Sequence, residues 1–163
     1  MANLNNARLI NFKNAIAIET ATALVNAKNA RQTGAMANWY AGNSTVIVWR
    51  SSVARSLVLA AIPLAAMRAQ IADLPILQTY LMDEKVICGD AQIRNAIIGL
   101  FPSNSATPAV VTANTQLNAL FKRQANRLEA VFATGGAGYE ADPHRLVVEG
   151  EPTNDNIIDA LNS

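Results

Sequence analysis

The stretch TPAVVTANTQLNALFKRQANRLEAVFATGG, residues 107–136, decides the architecture. Thr107 is a favoured N-cap type, and Pro108 suits a first helical turn, where its missing N–H has no partner to lose. Val110, Leu117, Phe121, Leu128 and Phe132 then recur at helical spacing, with Lys122, Arg123, Arg127 and Glu129 on the opposite face. Gly135 and Gly136 end the pattern. The expectation is one continuous helix over residues 107–134, the longest core element of a mainly α protein.

Upstream, Leu9, Phe12, Ile16, Ala23 and Ala27 predict an amphipathic helix over residues 6–30, with Gly34 as its stop. A short helical turn over residues 35–40 follows. Thr45, Val46, Ile47, Val48 and Trp49 form the most β-like run, and a lone strand needs a partner for its edges. Leu146, Val147 and Val148 are the best partner within the chain, and a neighbouring subunit is the other source. Ser52 can cap a helix from Val53, and Pro63 either kinks that helix or starts another. Asp90 stands before a compact helix bearing Ala91, Ile93, Ala96, Ile97 and Leu100, which Pro102 ends.

Downstream of Gly138 the chain changes character. Pro143, Gly150 and Pro152 punctuate an extended apolar segment, and Thr153 caps a last turn through Ile157, Ile158 and Leu161. The predicted fold is therefore a helical bundle with a short β-like segment and an extended C-terminal arm, divided as a bundle domain over residues 1–138 and a docking arm over 139–163.

The composition narrows the function. Of 163 residues, 51% are hydrophobic and 15% charged, against roughly a quarter charged in an ordinary soluble domain. Such a surface hydrates poorly and suits burial against partners. Thirteen Lys and Arg against twelve Asp and Glu leave a net charge of +1, so no long-range field draws the chain to nucleic acid. The apolar stretch over residues 53–81 is interrupted by Arg55, Pro63, Arg68, Gln70, Asp73 and Pro75, too often for a membrane span, and reads as core helix. Residues 1–13 carry Asn and Arg where a secretory signal needs a continuous apolar stretch, so no export is expected.

Candidate chemistry is thin. His144, the one histidine, lies in a Pro/Gly-rich segment and reads as a solvated or interface residue rather than a general base. Cys88, the one cysteine, forms no intrachain disulfide and reads as a small buried apolar group; with His144 it would make an incomplete nucleophile and base. Asp83, Glu84 and Asp90 lack the pattern of a calcium loop. Gly135, Gly136 and Gly138 follow a helix, the wrong end for cradling phosphate. No catalytic residue, metal site or cofactor is expected. Trp39, Tyr40, Trp49 and Arg50 are of the types enriched at protein interfaces and are read as core or subunit contacts rather than as a surface for stacking on nucleic acid.

Leu117-Asn118-Ala119-Leu120-Phe121-Lys122-Arg123, Leu128-Glu129-Ala130-Val131-Phe132-Ala133-Thr134-Gly135, Pro143 and Val148-Glu149-Gly150 give the stretch 94–150 its likeness. It resembles a group of small proteins encoded among the structural genes of tailed bacteriophages. Trp39-Tyr40 and Val48-Trp49-Arg50-Ser51-Ser52-Val53 also fit, whereas residues 54–88 depart from the pattern. By architectural analogy, the resemblance implies a non-enzymatic virion protein, synthesised in the host bacterial cytoplasm and built into the neck. It would be a head-to-tail adaptor: a homo-oligomeric ring below the portal, in passing contact with genomic DNA and with no membrane. Leu146, Val147, Val148, Glu149, Ile157, Ile158 and Leu161 are then expected to bind the portal protein, tail or neck proteins, or a neighbouring copy. A capsid-associated or tail-completion protein is the alternative, and a small intracellular helical enzyme or regulator the alternative of another class.

Overall fold

The computed structural model describes residues 4–163; the first three residues of the 1–13 stretch lie outside it. Among the described residues the chain is mostly helical, with ten α-helices and two small two-stranded antiparallel sheets, as the mainly α reading requires. The helices are α1 (Asn6–Ile18), α2 (Thr22–Asn29), α3 (Thr33–Ala41), α4 (Arg55–Ala60), α5 (Leu64–Ala69), α6 (Leu74–Tyr80), α7 (Ala91–Gly99), α8 (Pro108–Leu120), α9 (Arg127–Phe132) and α10 (Asn154–Asn162). The strands are β1 (Asn43–Trp49), β2 (Val53–Ala54), β3 (Lys85–Val86) and β4 (Lys122–Asn126); β1 pairs with β4, and β2 with β3.

Packing divides the chain into two units, each with its own core. The first joins the chain up to Val48 with 124–163; the second is 49–123. In the first, α3 is the hub, contacting α2, α9 and α10, while α1 packs on α9 and α10. Phe12, Leu24, Met36, Tyr40, Leu128 and Ile157 fill its core. In the second, α8 is the hub, contacting α4, α5 and α7. Val58, Ala66 and Ile97 pack with Val110 and Leu117 of α8 and with Phe121 at its end to fill the core of this unit.

The continuous helix expected over residues 107–134 does not form. α8 stops at Leu120, residues Lys122–Asn126 turn into β4, and α9 begins anew at Arg127. The reason is local chemistry meeting a tertiary demand. Asn126 is a strong N-cap: its side chain accepts from Glu129 N while the Glu129 carboxylate accepts from Asn126 N, a complete capping box. The segment before it, a poor strand former by composition, supplies the partner that β1 requires. The apolar positions still face inward, with Leu117, Phe121 and Leu128 fully buried.

The partner of β1 therefore also differs from the expected 146–148. Beyond β4, Ile47 N donates to Gly138 O at 2.8 Å, and His144 N donates to Ile47 O at 3.0 Å. The extended C-terminal segment does reach β1, but two residues earlier than its most apolar run.

The helix expected over residues 6–30 is two. α1 ends at Ile18 with Glu19 as its C-cap, and the Glu19 carboxylate accepts from Thr20 N and Ala21 N, fixing the turn that leads into α2. Gly34, expected as a stop, lies inside α3. Ser52 caps nothing: Val53 and Ala54 form β2, and α4 starts at Arg55. The rest of the 53–81 stretch breaks into α4, α5, a 3-10 turn and α6. Asp90 does cap α7, accepting from Gln92 N and Ile93 N, and Thr153 caps α10 in a second capping box with Asn156.

Phe121, at 0% exposure, closes the C-terminal end of α8 within the second core. Phe121→Ala is expected to lower stability by about 3–5 kcal/mol through lost burial and a cavity. Urea denaturation monitored by circular dichroism measures it, and a loss below about 0.5 kcal/mol would place Phe121 at the surface.

Candidate functional site

The residues expected to carry contacts or chemistry fall into three groups, and in each some of the polar side chains bind backbone atoms. The first is the C-terminal segment. Val148 and Ile157 are buried in the first unit's core, Leu146 is half-buried, and Val147, Ile158 and Leu161 stay exposed at 43%, 42% and 44%. The segment read from the sequence as a docking arm thus packs Val148 and Ile157 on its own chain and leaves Val147, Ile158 and Leu161 exposed. It is fastened at Gly150, whose N donates to Glu129 Oε1 at 3.0 Å and whose O accepts from Asn126 Nδ2 at 3.1 Å. Glu129, at 2% exposure, serves two purposes with one carboxylate: Oε2 caps α9 and Oε1 holds Gly150. Thr134 and Arg145 add a two-way backbone bridge.

The second group is Trp39 and Tyr40. Tyr40 is 2% exposed and packs edge-on between Phe12 and Trp39, with ring centroids 4.8 Å and 4.9 Å away. Arg127 lies 4.3 Å over the Trp39 ring and donates to Trp39 O at 2.7 Å. Gly42 makes this possible, because a Cβ there would collide with the Arg127 guanidinium. These residues, with Glu19, Ser44 and Val131, line a cavity of about 550 Å³. The Tyr40 hydroxyl has no hydrogen-bond partner. Burial, with Glu19 nearby, pushes its pKa well above the usual phenol range, so it remains a neutral hydroxyl.

The third group lies in the second unit around Trp49 and Arg50. Arg94 sits 4.0 Å over the Trp49 ring and donates from Nη1 to Cys88 O at 2.8 Å; Lys122 approaches the same ring at 5.3 Å. Burial lowers the Arg94 pKa, with Cys88 and Asp90 opposing the shift. Arg50 donates from Nε to Lys122 O, and its own carbonyl accepts from the Cys88 thiol at 3.1 Å. Cys88 is fully buried. His144 belongs to the first unit, half-buried, with Nδ1 against Gly135 O and its ring filling the space beside Gly138. Asp83 and Glu84 are exposed, and among the described residues no group of three or more His, Cys, Asp or Glu is placed to hold a metal.

A further feature has no counterpart in the sequence reading. α1, α3 and α10 border an apolar groove of about 570 Å³, floored by Ile16, Ala17, Met36, Ile158 and Leu161 and rimmed by Lys13, Lys28 and Arg31. Lys28 is anchored there, donating to Ile16 O at 2.8 Å at the end of α1. The sequence reading misses Asn126 as a cap, and it sets Glu129 on the solvated face opposite the apolar stripe, whereas Glu129 is buried at 2% exposure because its carboxylate is satisfied by two backbone amides. The signal of the pair was present as N-x-x-E, the capping-box spacing, hidden by the apolar periodicity running through it. Among the described residues no helix is long and apolar enough to cross a membrane. Comparison with protein families, curated proteins and solved structures found no match for this chain.

Two substitutions separate structural from surplus polar groups. Glu129→Ala strands two backbone donors and is expected to cost about 3 kcal/mol, since hydrogen bonds to a charged group contribute ~1.5–3 kcal/mol each. Glu129→Gln retains one acceptor oxygen and loses less, and chemical denaturation of both ranks them; equal, small losses would mean that the carboxylate does not fasten Gly150. Tyr40→Phe removes a hydroxyl that gains nothing from the fold, so its melting temperature is expected to match or exceed that of the parent. A loss of about 1 kcal/mol or more would reveal a partner for that hydroxyl.

Proposed function

We propose that this chain is a non-enzymatic structural component of a tailed-phage virion, a head-to-tail adaptor whose copies form a ring below the portal. The observation that carries the reading is the apolar surface it leaves open. Between Leu57 and Ile87 in the second unit, Leu64 is 62% exposed, Ile71 70% and Met82 76%, with Leu57, Leu59, Ile76 and Ile87 also exposed. Large apolar side chains presented this densely on a chain with few charges favour coverage by partners. The polar groups with chemical potential point the same way: Glu129, Arg94, Cys88 and Arg127 each bind backbone amides or carbonyls. The likeness of residues 94–150 to small phage structural proteins supplies the context. The segments quoted for it, around Leu128–Thr134 and Val148–Gly150, meet through Glu129 and Gly150.

A mass-spectrometric census of purified virions tests the reading. The expected result is about a dozen copies per particle, the number a portal-vertex ring of this kind implies by resemblance. Hundreds of copies would replace the adaptor by a protein decorating the shell, and absence from the particle would overturn the virion assignment.

A further inference from the structure

We propose that neighbouring copies join head to tail, the exposed acidic residues of the 139–151 segment of one copy meeting the basic-rimmed groove of the next, with Tyr139 entering it as an apolar plug. The proposal rests on the self-assembly reading above and names its contact. The groove offers an apolar floor of Ile16, Met36, Ile158 and Leu161 with Lys13 and Arg31 at its rim, and no carboxylate among its lining residues. The 139–151 segment is its complement. Glu140, Asp142, Glu149 and Glu151 outnumber its single Arg145, and Tyr139 stands 57% exposed. Glu140 and Glu149 also take part in contacts within their own chain, so the charges most available to a neighbour are Asp142 and Glu151.

The plug is held ready by its own backbone. Asp142 N donates to Tyr139 O at 3.0 Å, while Ala137 N and Gly138 N both donate to Asp142 O, closing a tight turn with Tyr139 at its shoulder. A preformed turn loses little further freedom on docking. Tyr is also among the side chains that dominate binding energy when seated in a desolvated pocket. The groove's volume of about 570 Å³ accommodates an aromatic side chain with adjoining backbone. Groove-to-groove pairing would set Lys13 and Arg31 against their own counterparts, a repulsive arrangement. Groove-to-ridge pairing uses two different surfaces, the kind of contact that closes into a ring when the rotation fits.

A photo-crosslinking residue, p-benzoylphenylalanine, placed at Tyr139 in the full chain tests the contact in an equal mixture of unlabelled and nitrogen-15-labelled protein. The expected products are mixed-isotope crosslinks from position 139 to peptides containing Lys13, Met36 or Leu161. Lys13→Glu with Arg31→Glu, and separately Asp142→Lys with Glu151→Lys, should weaken association about tenfold or more in sedimentation velocity, with unchanged melting temperature. Mixing the two reversed proteins should restore it. Crosslinks only within one copy, or mapping elsewhere, overturn this contact while leaving a ring possible by another surface. Assembly unchanged by either reversal, or parent protein that never associates, overturns it as well. A census lacking the protein in virions would instead remove the adaptor reading and leave the crosslinks standing.

Discussion

One buried carboxylate organises the first unit. Glu129 accepts from Asn126 N and from Gly150 N, and the Asn126 side chain answers by accepting from Glu129 N and donating to Gly150 O. A carboxylate at 2% exposure is costly unless its oxygens are satisfied. The helix start and the distant glycine are therefore set together. Gly150 adopts φ +112, which side-chain-bearing residues rarely take, and in that conformation both its peptide groups meet the capping box. With this point fixed, Val148 and Pro152 on either side are buried, and α10 lays Ile157 and Ala160 against α3 and α1.

The second unit depends on a different principle. α8 carries Val110, Ala113 and Leu117 on its inward face, and α4, α5 and α7 gather around it. At its edge the indole of Trp49 receives a guanidinium at 4.0 Å, and Arg94 at the same time ties down Cys88 O. The arginine is more than a charge at the surface. Its flat face covers an aromatic ring while its edge supplies a hydrogen bond, a combination lysine does not reproduce.

In both units, then, ionisable and nucleophilic side chains serve architecture. The thiol, the imidazole, the two stacked arginines and the buried glutamate all contact main-chain atoms. Open to the outside are large apolar side chains in the second unit and, in the first, an apolar groove with a basic rim and an exposed acidic segment. The exposed apolar surface is what motivates the assembly proposal.

Composition and periodicity by themselves determined the mainly helical class, the inward-facing Leu117, Phe121 and Leu128, the β-like run before Trp49, and the caps at Asp90 and Thr153. These follow from interactions within a few residues, which a local pattern records. Tertiary structure decided where continuous apolar periodicity would be interrupted. Residues Lys122–Asn126 keep helical spacing on paper yet become a strand, because β1 needs hydrogen-bond partners far away in sequence and Asn126 can restart the helix at no loss of burial. It also decided that Leu146, Val148 and Ile157, read as a docking arm, would pack to differing depths on their own chain. Whether an apolar side chain meets its own core or a neighbour depends on which surface lies within reach, and the position of Gly150 beneath Glu129 is set by a contact spanning 21 residues, beyond any local pattern.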